Sequence, residues 1–269
     1  MFDSLTPRMG LQMLKLRVFF IASLMLLPAS SFALASAEEI LAASDAIRNP
    51  NRSFSVTVTL TEFQSGKQVD TSTLVSYSRM QVQGGQFASL IRFALPARDA
   101  GKLMLKNGND LWFYDPANKA SVRLSPQQRL LGQASNGDVA TVNLARDYKT
   151  TLVGDEDVLD GERRTRKAHK LALTAVSPDV TYGSIEMWID VENNRPLKAR
   201  FFAESSRLLK TAYYRRFQSE LGAMRPTETV IIDGLDPQSV TLMRFSDYTA
   251  RTIPDTWMQR DFLPRFQPE

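Results

Sequence analysis

Apolar and polar residues alternate with a period of two along most of this 269-residue chain, the pattern of strands with one buried and one solvated face. Across residues 53–61 the even positions are Phe54, Val56, Val58 and Leu60, and every odd position is Ser or Thr. Phe87, Ser89, Ile91 and Phe93 alternate in the same way, as do Leu171 with Leu173, Ile185 with Met187 and Ile189, and Leu197 with Ala199 and Phe201. Turn formers interrupt these runs at Gly66-Lys67, Gly84-Gly85, Asn107-Gly108-Asn109, Asp160-Gly161, Asn193-Asn194, Gly222 and Gly234, spaced as hairpin turns are. The pattern predicts about eleven strands in meander order, the last over residues 239–248.

Helical signals are few. Ala37–Arg48 carries Ile40, Leu41 and Ile47, with Glu38 and Glu39 in the first turn and Asn49-Pro50 to end it, which predicts an amphipathic helix. Ser125-Pro126 reads as an N-cap followed by proline at the first helical position, opening a short helix through Leu131 that Gly132 closes. After Asn136-Gly137, Asp138 reads as the cap of a second helix running to about Asp147. The class is therefore mainly β with α, an α+β fold. A long antiparallel sheet with one apolar face must cover that face, and these helices are the only material for it.

The N-terminus changes the picture. Lys15 and Arg17 precede an apolar run over residues 18–27, then Pro28, a small-residue stretch and Ala33-Leu34-Ala35, an order that fits signal-peptidase cleavage after Ala35. Ala37 offers a second site, and Met9 and Met13 are alternative starts. The run is about half the roughly 20 residues a bilayer span needs. The expectation is a signal peptide over residues 1–35, a single domain over residues 36–269 and a periplasmic location. The chain has no Cys, hence no lipidation cysteine and no disulfide framework. Cleavage leaves 234 residues and lowers the net charge from +4 to +2, through loss of Arg8, Lys15, Arg17 and Asp3. No nucleic-acid footprint is indicated.

Residues 110–116, Asp-Leu-Trp-Phe-Tyr-Asp-Pro, carry the most information. With Arg92-Phe93-Ala94-Leu95-Pro96 and Ala100-Gly101-Lys102-Leu103-Met104-Leu105 before them, they resemble the periplasmic lipoprotein-carrier superfamily typified by LolA and LolB. Arg123-Leu124-Ser125, residues 131–138, Asp147-Tyr148, Tyr182 with Trp188, Arg195-Pro196-Leu197-Lys198, Leu208-Leu209-Lys210 and Arg225-Pro226 extend the likeness to outer-membrane lipoprotein-sorting-like proteins. The resemblance implies an incomplete antiparallel β-barrel lidded by helices, whose apolar cavity takes the acyl chains of a lipid or lipoprotein. It also implies possible partners: an inner-membrane RND-type transporter, whose accessory proteins some members resemble, or an outer-membrane acceptor. The expected assembly is a monomer.

Two positions depart from the pattern. LolA places an arginine immediately before the proline that matches Pro96, where it holds the lid by hydrogen bonds; this chain has Leu95 there. That latch does not carry over, and Arg92 is the nearby candidate for a lid or headgroup contact. Ser205-Ser206 before Arg207 replaces a glycine turn common in relatives.

Moving an acyl chain through water exposes methylenes at roughly 0.8 kcal/mol each, so a chain of about 15 carbons represents on the order of 12 kcal/mol that a carrier must offset by burial. The candidate cavity residues are Phe87, Ile91, Phe93, Met104, Trp112, Tyr114, Met187 and Phe201. For each, ordinary core packing is the competing reading. Met104 adds a flexible thioether able to refill space when cargo leaves. Gly132, Gly137 and Asp138 bound the loop that would serve as lid hinge.

Catalytic readings have less support. His169 is the only histidine and sits in a basic stretch without a nucleophile motif. Asp155, Glu156, Asp157 and Asp160 lack calcium-loop spacing and read as an acidic hairpin end. A zinc site is disfavoured by a single His and no Cys, and the 132–137 loop has no following Lys to cradle phosphate. No catalytic residue, metal or cofactor is expected. A lipid-responsive regulator of the RseB type is the competing reading. It would carry a second small domain, for which residues 253–269 are too few.

Overall fold

The computed structural model describes Met1, residues 35–81 and residues 85–267. The expected signal peptide and Gly84 lie outside the described residues, apart from Met1 and Ala35. The first regular element, α1 (Ala37–Arg48), has the bounds its sequence predicts. Ser36 and Glu39 form a reciprocal capping box, with Ser36 N donating to Glu39 Oε2 at 2.8 Å and Glu39 N to Ser36 Oγ at 3.2 Å, satisfying two otherwise orphan donors. At the other end the Arg225 guanidinium donates to the carbonyls of Ala46 and Ile47 at 3.0 and 2.9 Å, serving acceptors that a helix leaves unpaired. Ile40 and Leu41 are buried, each contributing roughly 1.5–3 kcal/mol.

The strands are β1 (Phe54–Gln64), β2 (Lys67–Met80), β3 (Phe87–Leu95), β4 (Leu103–Asn107), β5 (Asp110–Asp115), β6 (Ala120–Arg123), β7 (Arg129–Leu131), β8 (Ala134–Ser135), β9 (Tyr148–Leu159), β10 (Thr165–Ala175), β11 (Ser184–Asp190), β12 (Pro196–Phe202), β13 (Leu208–Glu220), β14 (Ala223–Asp233) and β15 (Ser239–Ala250). Thirteen of them make one antiparallel sheet in the order β6-β5-β4-β3-β2-β1-β15-β14-β13-β12-β11-β10-β9, and β7 pairs only with β8. The sheet is two meanders running in opposite directions, fused where β1 pairs with β15. It is not closed into a barrel: β6 and β9 are its two edges. Among the described residues the predicted turn sites fall at junctions of consecutive strands, with Lys67 opening β2 and Asn107 closing β4. Three of the strands beyond the expected eleven or so are β6, β7 and β8, which span only two to four residues, too short to show a period.

This topology places the lid. The chain leaves β6 at one edge and must reach β9 at the opposite edge, so residues 124–147 cross the apolar face of the sheet. They do so with less helix than expected. Residues 125–131 are not helical: Ser125 Oγ caps a turn by accepting from Gln127 N at 3.3 Å, and Arg129–Leu131 is then extended as β7. A helix of that length has almost no intrinsic stability, whereas the β7–β8 hairpin gains contacts on the sheet. The second expected helix is split into a 3-10 turn, Asn136–Val139, and α2 (Leu144–Asp147). The residues between are extended because their backbone groups bond outward, Thr141 N to Ser89 Oγ at 3.2 Å and Asn143 N to Gln86 Oε1 at 2.8 Å.

The main core lies between the sheet's inner face and this cover, and contains Phe54, Val58, Leu60, Ile91, Met104, Met187 and Ala212. A second core lies on the outer face of β2–β5. There Tyr77, Leu90, Leu103, Leu105 and Tyr114 pack under Ile253, Met258 and Leu263 of the C-terminal segment, which Arg79 pins through an ion pair with Asp255.

Candidate functional site

Between the lid and the strands β12–β15 is a cavity of about 110 Å³, bounded by Gly137, Asp138, Ala140 and Leu144 of the lid and by Phe201, Lys210, Ala212, Tyr214, Ile231 and Met243 of the sheet, among others. A second cavity of about 90 Å³ lies on the other side of residues 138–142, against Phe54, Val56, Val58 and Tyr248. Arg48, Asp138, Ala140, Val142, Tyr214, Thr229 and Phe245 belong to both walls. The lid segment thus contributes Asp138, Ala140 and Val142 to the partition, and α1 and the sheet contribute the rest.

Lys210 is the unexpected member. Strand alternation puts Lys210, Ala212 and Tyr214 on the inner face, and Lys210 is only 3 % exposed. Its ammonium pairs with the Asp138 carboxylate and donates to Gln133 O at 3.0 Å and Ser135 Oγ at 3.4 Å. It also stands over the rings of Tyr182 and Phe201, 5.0 and 5.7 Å from their centroids. Burial pulls its pKa below the ordinary lysine value, against the opposing pull of Asp138. Asp138 further accepts from Tyr182 Oη at 2.6 Å and Ser135 N at 2.8 Å. Burial and then the Asp138 charge hold the Tyr182 phenol well above its usual range.

The far end of the lid is tied to α1. Arg48 donates to Asp45 Oδ1 at 2.6 Å and Val142 O at 3.0 Å. Asn49 donates to Val142 O and Asn143 Oδ1 at 2.8 and 2.7 Å. Asp45 Oδ2 accepts from Ala145 N at 2.8 Å. Midway, Thr141 Oγ1 lies 2.6 Å from Ser78 Oγ. The near end is docked by Gln133, whose N donates to Thr241 Oγ1 at 2.7 Å and Nε2 to Ser239 Oγ at 2.9 Å. The two glycines assigned as hinges are points of close approach. Gly132, at φ +53°, lies against Thr241 and Glu62, and Gly137 against Thr181, where a Cβ would overlap the neighbour in each case.

Of the eight cavity candidates, Phe201 alone lines the larger cavity. Phe87, Ile91, Phe93, Met104 and Met187 face inward but belong to the packed main core. Trp112 and Tyr114 face the other way. They pack in the outer-face core under the C-terminal segment, while their neighbours Leu111 and Phe113 point inward. Arg92 lies in register with Val75 and Leu103, residues of the outer core, and is not a lid contact. Asp138, a hinge candidate, lines both cavities. Lys210, Tyr182, Arg48 and Asp45 were not selected, although a lysine at an inward position of an alternating strand was the available signal.

Because Ile91 and Met104 are fully buried in register with each other across β3 and β4, Ile91→Phe and Met104→Phe are each expected to cost roughly 1–3 kcal/mol by overpacking, with cargo binding per folded molecule unchanged. Thermal melts and binding on the same samples test this; parental stability would place vacant volume beside these side chains.

The ionisable groups of the site are bonded to one another in a way that closes a lid. His169 is remote from them, its Nδ1 2.6 Å from Asp155 Oδ1 on β9. Asp160 accepts from Glu162 N and Arg164 N in a turn, and Glu156 accepts from Trp188 Nε1.

Comparison with known proteins places this architecture. A family model described as "-like: Uncharacterized protein" matches residues 85–265. A crystal structure of a LolA superfamily protein from Nitrosomonas europaea is 34% identical, with a TM-score of 0.76 over 85% of this chain and 100% of that one. A DUF1329 family protein from Desulfovibrio piger shares 21% identity and a TM-score of 0.70, over 84% of this chain and 97% of its own. A putative outer membrane lipoprotein-sorting protein domain from Vibrio parahaemolyticus shares 19% and 0.71, over 85% and 98%; the last two show likeness of fold. No curated protein matches the chain.

Proposed function

This chain belongs to the LolA superfamily, and from that premise we propose that it is a periplasmic carrier that encloses the acyl chain of a lipid or lipoprotein and moves it toward the outer membrane without covalent chemistry. The observation that carries this reading is a continuous cover, residues 124–147, held over the inner face of an open sheet by side-chain contacts at both ends and in the middle. A cover fixed only by packing would be a structural cap. This one packs Ala134, Val139, Ala140 and Leu144 into the main core but is also fastened by hydrogen bonds and an ion pair, contacts that other polar partners can replace when it opens.

The size of the cavity fits a closed, unloaded state. About 110 Å³ is well under the roughly 300 Å³ at which ligand pockets begin. Lifting residues 138–142 would widen the connection between the two cavities, because Asp138, Ala140 and Val142 form part of the wall they share. Residues 1–35 are proposed as the cleaved export signal and residues 36–269 as the carrier domain, acting as a monomer. An inner-membrane donor, for which an RND-type transporter is suited, and an outer-membrane acceptor complete the scheme.

The test is mass spectrometry of the protein purified from periplasm without detergent. The expected result is an N-terminus at Ser36 and acyl lipid recovered with the folded protein. A protein recovered from the cytoplasm with residues 1–35 attached, or free of acyl lipid when isolated beside its membrane donor, would remove the basis for a carrier.

A further inference from the structure

All three acceptors of the Lys210 ammonium lie on the lid. Gln133 O, Ser135 Oγ and Asp138 Oδ2 belong to residues 133–138, whereas Lys210 is on β13 of the sheet. Tyr182 is in the same position, since both acceptors of its hydroxyl, Asp138 Oδ1 and Ser135 Oγ, are on the lid. Lifting the lid therefore strips an ammonium and a phenol of every protein acceptor they have among the described residues and leaves them side by side on the cavity wall. The cavity wall around them is apolar at Phe201, Ala212, Ile231 and Met243 and polar at Tyr148, Thr181, Tyr214 and Thr229.

A cation left in such surroundings is strongly disfavoured unless a new anion reaches it. A cavity meant only for hydrocarbon would be better lined by an apolar residue at position 210, because a buried ion pair seldom adds stability over a hydrophobic replacement. Arg48 supplies a second, independent sign. Its Nε is buried without a hydrogen-bond partner, and the residue lines both cavities. Arg48 Nε thus lacks an acceptor with the lid closed, and Lys210 Nζ loses its acceptors when the lid opens. The opposing acid, Asp147, is engaged by Gln86 Nε2 at 3.0 Å, and burial raises its pKa, which lessens its charge toward an incoming anion.

We propose that the cargo carries an anionic group, a carboxylate or a phosphate, at the end of its acyl chain that enters the cavity, and that Lys210 with Tyr182 receives this group in exchange for Asp138. The proposal rests on the carrier reading and narrows it. It makes the lid contact and the cargo contact alternatives for one ammonium, so that loading and opening are the same exchange. Charge-assisted hydrogen bonds of this kind are stronger than neutral ones.

The experiment uses delipidated mature protein and displacement of a neutral apolar dye, N-phenyl-1-naphthylamine, by three ligands: oleate, oleoyl lysophosphatidate and methyl oleate. Oleate or the lysophosphatidate should displace the dye at concentrations about tenfold or more below the ester, a ratio of one charge-assisted contact. The better of the two anions distinguishes carboxylate from phosphate cargo. Lys210→Arg should keep the preference. Lys210→Met, and the double variant Lys210→Met with Asp138→Leu, which removes both charges and guards against misfolding, should reduce it to about threefold or less. A parent that binds the ester as tightly as the anions, or a double variant with the parental ratio, overturns the inference and leaves the carrier intact. Failure of the dye and all three ligands to bind the folded parent overturns the carrier reading and the inference with it.

Discussion

Oxidation of a Ser78→Cys, Thr141→Cys variant is expected to stop cargo exchange, slowing it by about two orders of magnitude or more if lid opening gates the step, and dithiothreitol should restore the parental rate. Ser78 is on β2 and Thr141 on the lid, with their hydroxyl oxygens 2.6 Å apart. Two sulfurs at these positions need approach only to about 2.05 Å. The chain has no cysteine of its own, so the cross-link has no competitor. Thiol titration confirms closure, and transfer of a fluorescent fatty acid to vesicles reads exchange. Exchange at the parental rate in the fully oxidised variant would show that cargo enters elsewhere and would reduce the segment to a fixed cap.

The second large effect concerns stability. Asp138→Ala is expected to lower the free energy of unfolding by roughly 3–5 kcal/mol, the usual cost of removing one partner of a buried ion pair, read by urea denaturation at neutral pH. Lys210 would keep only Gln133 O and Ser135 Oγ, neither of them charged. The pH dependence has a definite sign. Burial already lowers the Lys210 pKa from its ordinary 10.5, and loss of Asp138 lowers it further. Between that lowered folded value and about 10.5 the unfolded chain binds more protons, so stability rises with pH there. The variant's deficit should therefore shrink as pH approaches 10. Replacing both residues, Lys210→Met with Asp138→Leu, should recover most of the loss. A deficit that is small, or that grows with pH, would show that the pair is not held as an ion pair in the folded protein.

Much of this architecture was legible in the residues because local rules and the final fold agree. The Ser36 to Glu39 capping box starts α1 and Asn49-Pro50 ends it by local signals alone, with Arg225 then serving its last carbonyls. The turn residues separate strands that pair in sequence order at eleven of the twelve pairings in the sheet, the exception being β1 with β15. Where local rules failed, distant groups supplied the competing bonds. Ser125-Pro126 caps a turn as readily as a helix, and Gln133 bonded to Ser239 and Thr241, more than a hundred positions away, favours the hairpin. The helix expected from Asp138 is interrupted where Ser89 and Gln86 take the backbone donors of Thr141 and Asn143.

The sequence by itself determined that this is a mostly antiparallel β protein with an N-terminal helix, strands joined by short hairpins, and the marks of one carrier superfamily. It did not determine which face of β4 and β5 looks inward. A period of two says which residues share a face, and Leu111 with Phe113 is as apolar as Trp112 with Tyr114; the choice was made by the C-terminal segment, whose Ile253, Met258 and Leu263 cover the outer side. Nor did it pair Lys210 with Asp138, because the partners are 72 positions apart and meet only when the chain crosses from one sheet edge to the other. A charge at an inward position announces that some partner exists, and only the tertiary structure says that the partner sits on the lid.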